Sequence, residues 1–173
     1  MNEKFERLLE RAEQLITRIE SILPQPLSAP ADWNASIAWR YRRRSSGHGT
    51  LEPVHHMASM ALDALKEIDV QKEKIERNTR QFVEGRPANN VLLTGARGTG
   101  KSSLIRACLQ AYAPQGLRLI EVDKADLTDL PDIVEVVASR PEKFIVFSDD
   151  LSFDEGEPGY KALKSILDGS IAA

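Results

Sequence analysis

At 173 residues and 42% hydrophobic content, the chain is sized for one domain, or one domain with an arm, and is too apolar for wholesale disorder. Its 23 basic and 26 acidic residues nearly balance, so no global field draws it to nucleic acid or an anionic membrane; such a partner would need a local patch. The single cysteine, Cys108, excludes an intramolecular disulfide and suits a reducing compartment. The N-terminus has mixed charge and no signal-type apolar stretch, and no run is long enough to cross a bilayer, so the expected location is cytoplasmic, with no membrane partner.

Residues 1–23 predict an amphipathic helix. Phe5, Leu8, Ala12, Leu15, Ile19 and Ile22 recur at spacings of three and four, and Leu9, Ile16 and Leu23 widen the stripe. Glu3, Arg7, Glu10, Arg11, Glu13 and Arg18 occupy the other face, with Glu3 and Arg7 oriented as an i,i+4 pair. Such a stripe packs on its own domain, the arrangement expected here, or on a partner helix in a short coiled coil. Pro24, Pro26 and Pro30 stop the helix and open a linker. The linker enters WNASIAWRYRRRSSGHG, where Trp33, Trp39 and Tyr41 sit among Arg40, Arg42, Arg43 and Arg44. Three roles fit this arm: stacking bases and pairing phosphates, clamping onto an acidic protein surface, or a solvated loop. Of these, the protein contact is preferred over nucleic acid. His48, His55 and His56 lack the spacing of metal ligands.

From Met57 a helical period returns at Met60, Leu62, Leu65 and Ile68. A further helix, VQKEKIERNTRQFVE, is expected with Asp69 as its cap, Ile75, Phe82 and Val83 facing inward, and Gly85 and Pro87 as its stop. Beyond it the pattern predicts a short buried strand at 91–93, a helix at 101–112, a strand at 117–122 and a helix at 131–139. The strand KFIVFS and the helix YKALKSILDG complete the series. Strand and helix in alternation predict an α/β fold, a parallel sheet with crossover helices. The expected division is an N-terminal helix, linker and arm over 1–56, then a nucleotide-binding domain over 57–173.

GARGTGKS, residues 95–102, lies between an expected strand and an expected helix, the setting of a phosphate-cradling loop. Gly95 and Gly100 allow backbone conformations that a side chain would obstruct, and Gly98 and Thr99 keep the loop slim. Successive N–H groups then face a β-phosphate at a helix N-terminus. Lys101 can bridge β- and γ-phosphates, and the Ser102 hydroxyl can ligate Mg²⁺. Arg97, at the tip, has no assigned role, and Cys108 on the following helix reads as a core residue.

FIVFSDDLSF, residues 144–153, ends an apolar strand in paired acids. A strand covered on both faces reads as such a continuous run. Asp149 stands where a Mg²⁺-associated carboxylate is expected, at the C-terminal end of a parallel strand. Asp150 either orients the attacking water or serves as an N-cap or loop acid. Asp154, Glu155 and Glu157 read as a solvated acidic loop. VDKADL, 122–127, mimics a guanine-recognition sequence but has Asp123 where Asn or Thr is needed and precedes the acidic strand, so adenine is the expected base.

Taken together, PANNVLLTGARGTGKSSLIRA, LRLIEVDKADLTDLPDIV and FIVFSDDLSFDEGEPGYKALKSILDGS resemble the AAA+ ATPases grouped as the domain-of-unknown-function 815 family, closely from about residue 50 onward. The resemblance implies a P-loop NTPase of the AAA+ (ASCE) type, with a three-layer parallel sheet and with ATP and Mg²⁺ as cofactors. It implies phosphate binding by Gly95, Ala96, Arg97, Gly98, Thr99, Gly100, Lys101, Ser102 and Ser103, and an adenine contact at Ile68 and Val70. Metal binding falls to Ser102 and Asp149, and catalysis to Lys101 and Asp150. It further implies a homo-oligomer formed through a complete AAA+ module that remodels an unknown protein or protein–nucleic-acid partner.

Two departures matter. Asp150 stands where most AAA+ proteins carry glutamate, one methylene longer. The family's sensor strand, which inserts between the loop strand and the acidic strand, and its arginine finger and lid have no counterpart before Ala173. The sequence is therefore read as the N-terminal portion of the module, incomplete at the C-terminus, which binds ATP and barely hydrolyses it. A non-hydrolysing, nucleotide-dependent binding module is the alternative. A small-molecule kinase is disfavoured because no arginine-rich lid follows.

Overall fold

The structure, a computed structural model, describes residues 3–20, 27, 32–44, 49–152 and 157–167. Ile22, Leu23, the three linker prolines, His48, Asp154, Glu155 and the last six residues lie outside the described residues. In chain order the elements are α1 (Glu3–Glu20), β1 (Ala38–Arg43), β2 (Gly49–Pro53), α2 (Asp69–Val83), α3 (Lys101–Tyr112), β3 (Leu117–Glu121), α4 (Leu130–Ala138), β4 (Lys143–Phe147) and α5 (Pro158–Leu167). The four strands form one sheet in the order β2-β1-β3-β4. β3 runs parallel to both neighbours, and β2 closes the other edge antiparallel to β1.

Period-two alternation sorts the sheet side chains onto two faces. Trp39, Tyr41, Ile120, Phe144 and Val146 point to one side, where they meet Leu127 and Ile133 of the α4 region. Ala38, Leu117, Leu119, Ile145 and Phe147 point to the other, against Leu109 and Tyr112 of α3 and Phe82 and Val83 of α2. A third apolar group, Leu65, Leu104, Ala107 and Cys108, joins α3 to Ile68 and Ile75. The expected α/β class, with helices on both faces of a mostly parallel sheet, is what forms.

The aromatic and arginine segment is a strand rather than an arm. Trp39 is fully buried and Trp33 packs on it with ring centroids 5.0 Å apart. Arg40, on the opposite face, binds Glu121 at 2.9 Å, and Arg43, on the same face as Tyr41, pairs with Asp129. The boundary expected at residue 56 thus falls after a hairpin that shares the sheet of β3 and β4.

Other expectations fail for identifiable reasons. Residues 57–68 form only a 3₁₀ turn at Leu62–Ala64. The side chain of Gln110 accepts from Met60 N at 2.6 Å and donates to Ala58 O at 3.1 Å, claiming backbone groups that a helix would use internally. Asp69 does not cap α2: Ile68 holds the cap position and Asp69 pairs with Lys72 one turn on. Residues 91–93 form no strand, and Val91 and Leu92 are exposed. β4 pairs with β3 alone among the described residues, and a lone strand cannot satisfy its backbone. β4 itself is half-buried along its length rather than covered on both faces. By contrast α2 ends as expected: Gly85 has φ +72°, Arg86 N donates to Gln81 O at 2.8 Å, and Gly85 N to Phe82 O at 3.0 Å.

No helix among the described residues is long and apolar enough to cross a membrane.

The hairpin is fastened by one polar knot. Tyr41 Oη donates to Asp129 Oδ2 at 2.5 Å, Arg43 Nε donates to the same oxygen at 2.7 Å, and Arg43 also reaches Thr128 Oγ1 at 3.1 Å. Burial works to raise the Asp129 pKa, but hydrogen bonds from Arg43 and Tyr41 outweigh it and hold the carboxyl below its usual range. A group so depressed stabilises the fold above the ordinary carboxylate range, and that contribution is lost as pH falls through the folded-state value. Asp129→Asn is therefore expected to cost about 1–3 kcal/mol at neutral pH. In urea titrations the gap between parent and variant should close as pH is lowered below about 4; a gap that is constant with pH would count against this assignment.

Candidate functional site

The loop 95–103 is supported from beneath by α3. Leu104, Ala107, Cys108, Leu109 and Tyr112 are all buried, so the helix has one seating on the sheet and its first turn has one position. Burial pushes the Cys108 thiol up to about 11, so this residue packs and does not react. Tyr112 Oη donates to Glu76 Oε1 at 3.3 Å, tying α3 to α2.

The approach to the loop is pinned by a pair that sequence reading missed. Asn78 on α2 donates Nδ2 to Asn89 O at 2.8 Å, and its Oδ1 accepts from Asn89 N at 2.9 Å. One side-chain amide thus takes both backbone groups of residue 89. Nothing local in the sequence signals it, because the partners belong to different segments.

Within the loop, Gly98 and Gly100 have φ values of +83° and +85°, the left-handed region that favours glycine. Gly100 caps α3, and its carbonyl accepts from Leu104 N at 2.9 Å to start the helix. Thr99 Oγ1 donates to Ala96 O at 2.9 Å. Lys101 Nζ donates to Gly95 O at 2.9 Å and Ala96 O at 2.8 Å, which holds its charge over the loop.

The loop meets the paired acids through one bond. Ser102 Oγ donates to Asp149 Oδ2 at 2.9 Å, joining the first turn of α3 to the end of β4. The other oxygen, Asp149 Oδ1, accepts from Asp150 N at 3.0 Å. Asp150 is exposed and has φ +50°, a conformation uncommon for a residue with a side chain. Ser148, immediately before the pair, has a buried hydroxyl with no hydrogen-bond partner. A polar residue closing an apolar strand just before two acids was its sequence signal.

The structure thus brings Gly95, Ala96, Thr99, Lys101, Ser102 and Asp149 into one bonded group. Ser103 is half-buried in the first turn of α3, and Arg97 is exposed. Ile68 lies beside the loop: a methyl group on Gly100 would meet Ile68 Cδ1 at 3.9 Å. Val70 is 62% exposed. The arginines at 40, 43 and 44 are engaged with Glu121, Asp129 and Glu52, and Trp33, Trp39 and Tyr41 are buried.

A hydroxyl and a carboxylate in contact form an oxygen donor set suited to Mg²⁺, which keeps several waters and needs few protein ligands. No cluster of three or more His, Cys, Asp or Glu able to cage a metal occurs among the described residues. The pair fits a cation that brings most of its own shell.

A profile of the family described as "Protein of unknown function (DUF815)" matches residues 34–173. The chain belongs to the DUF815 family. The DUF815 match takes in the β1–β2 hairpin together with the loop and the paired acids, in keeping with their shared sheet, and leaves α1 outside. Among curated proteins and among solved structures, nothing matches the chain.

Replacing Gly100 by alanine tests the loop geometry. The added methyl meets nothing closer than ordinary contact, so the cost is backbone strain alone, about 1–2 kcal/mol. Thermal unfolding should show that loss; an unchanged midpoint would mean the loop does not hold residue 100 left-handed.

Proposed function

We propose that this DUF815 protein binds ATP with Mg²⁺ as a cytoplasmic AAA+ P-loop ATPase, and uses the nucleotide to drive remodelling of a protein or protein–nucleic-acid partner. The observation that carries the proposal is the Ser102–Asp149 hydrogen bond at 2.9 Å. Two segments far apart in sequence converge there with donor chemistry suited to one hard cation. The glycine backbone at 98 and 100, and a lysine held over the same loop, support the reading.

Each residue has a role on this reading. Residues 95–103 receive the phosphates through backbone N–H groups, with Arg97 at the exposed tip. Lys101 turns its ammonium from the loop carbonyls to the phosphoryl oxygens and offsets their charge as it builds. Ser102 and Asp149 hold the metal. Bound Mg²⁺ would neutralise the β- and γ-phosphates and polarise the bond to be broken. Asp150 accepts the proton of the attacking water. Ile68 walls the adenine, and Val70 contributes its backbone. Assembly into a homo-oligomer through an AAA+ module completes the reading.

A second reading, a nucleotide-dependent binding module that does not hydrolyse, is favoured by the state of Asp150. It is exposed, and its amide is turned back onto the Asp149 carboxylate. Binding is accordingly expected to be firm and turnover slow.

Calorimetric titration with Mg-ATP tests binding: Lys101→Ala should weaken affinity tenfold or more, about 1.4 kcal/mol, without lowering the melting temperature. Equal affinity in parent and variant would refute the site. Phosphate release separates the two readings. Loss of the residual rate in Asp150→Asn supports the ATPase, and an unchanged rate supports the binding module.

A further inference from the structure

α1 was expected to pack on its own domain, yet every one of its described side chains is exposed. The exposed set includes Phe5 at 63%, Leu15 at 58% and Ile19 at 55%, with Leu9 and Ile16 beside them. In heptad terms Phe5, Ala12 and Ile19 take position a, Leu15 takes d, and Leu9 and Ile16 take e. The stripe is three columns wide, broader than the two-column seam of a simple coiled coil.

Its margins carry opposite charge. Arg11 and Arg18 occupy g along one edge, and Glu6 and Glu13 occupy b along the other. Helices that run the same way around a common axis set the g edge of one against the opposite edge of the next. Antiparallel helices set like edges together. For α1 the parallel arrangement opposes arginine with glutamate, whereas the antiparallel one opposes arginine with arginine and glutamate with glutamate. Glu6, Glu10 and Glu13 on the polar surface also disfavour an anionic lipid bilayer, which selects a basic polar face.

We propose that α1 assembles in parallel with α1 of further copies of this chain, the apolar stripe inward and each basic edge against an acidic one. The chain leaves every helix at the same end, so the α/β domains of all copies gather at one end of the bundle. The inference is independent of the nucleotide reading.

The test uses the full chain with nucleotide withheld, so that assembly driven by the nucleotide-binding domain stays out of the readout. Sedimentation velocity should show a species larger than one chain. Leu15→Glu and Ile19→Glu should each return it to monomer with the melting of the α/β domain unchanged. Glu13→Arg should weaken association several-fold, and adding Arg11→Glu should restore it. Orientation is read by cysteine pairing, for which native Cys108 is too buried to compete. Ile19→Cys should oxidise to a linked dimer. Antiparallel helices would instead set residue 19 opposite residue 5, with like residues about 21 Å apart, beyond the roughly 7 Å that a disulfide spans. A monomeric parent, an oligomer that survives Leu15→Glu, crosslinking only between Phe5→Cys and Ile19→Cys chains, or a monomer that binds anionic vesicles through α1 would each overturn the proposal.

Discussion

The hydrogen bond from Ser102 to Asp149 fixes the separation between the start of a helix and the end of a strand, and the rest of the site is built on that separation. It holds only because α3 and β4 are both seated on β3. Leu117 and Ile120 of β3 are fully buried, one on each face, so α3 and α4 press the central strand from opposite sides. Moving α3 by one turn would carry Ser102 about 5 Å along its axis and break the bond. Core packing therefore sets the donor geometry, and the loop glycines let the backbone accept it.

The hairpin supports the same arrangement from the far side of β3. β1 pairs with β3 in parallel, and its Trp39 and Tyr41 help fill the face that α4 covers. The knot at Asp129 ties that hairpin to the turn preceding α4. A segment whose composition suggested an external contact is used to complete a sheet. Arg40, Arg43 and Arg44 are met inside the chain, by Glu121, Asp129 and Glu52.

What the sequence made legible follows from range. α2, α3, α4, β3 and β4 were readable because period and stop signals are local properties of a few turns. The turn at Gly98 and Gly100 was readable for the same reason, since loop geometry depends on consecutive residues. The hairpin was not, although Trp39, Arg40, Tyr41 and Arg42 alternate strictly, because the acids that pair with Arg40 and Arg43 in the strand lie 81 and 86 residues away. Residues 57–68 kept a helical period and failed as a helix because Gln110, 50 residues on from Met60, takes the backbone. The segment 91–93 has strand composition and no strand beside it, and pairing rather than propensity decides such cases.

If Ser102 and Asp149 act on one Mg²⁺, their effects on nucleotide binding must be coupled. The most direct measurement is a double-mutant cycle of Ser102→Ala and Asp149→Ala on ATP affinity, run with Mg²⁺ and again with chelator. Shared action on the metal should give a coupling of about 0.5–3 kcal/mol with Mg²⁺ that vanishes when the metal is removed. Additive losses that are the same with and without Mg²⁺ would contradict it.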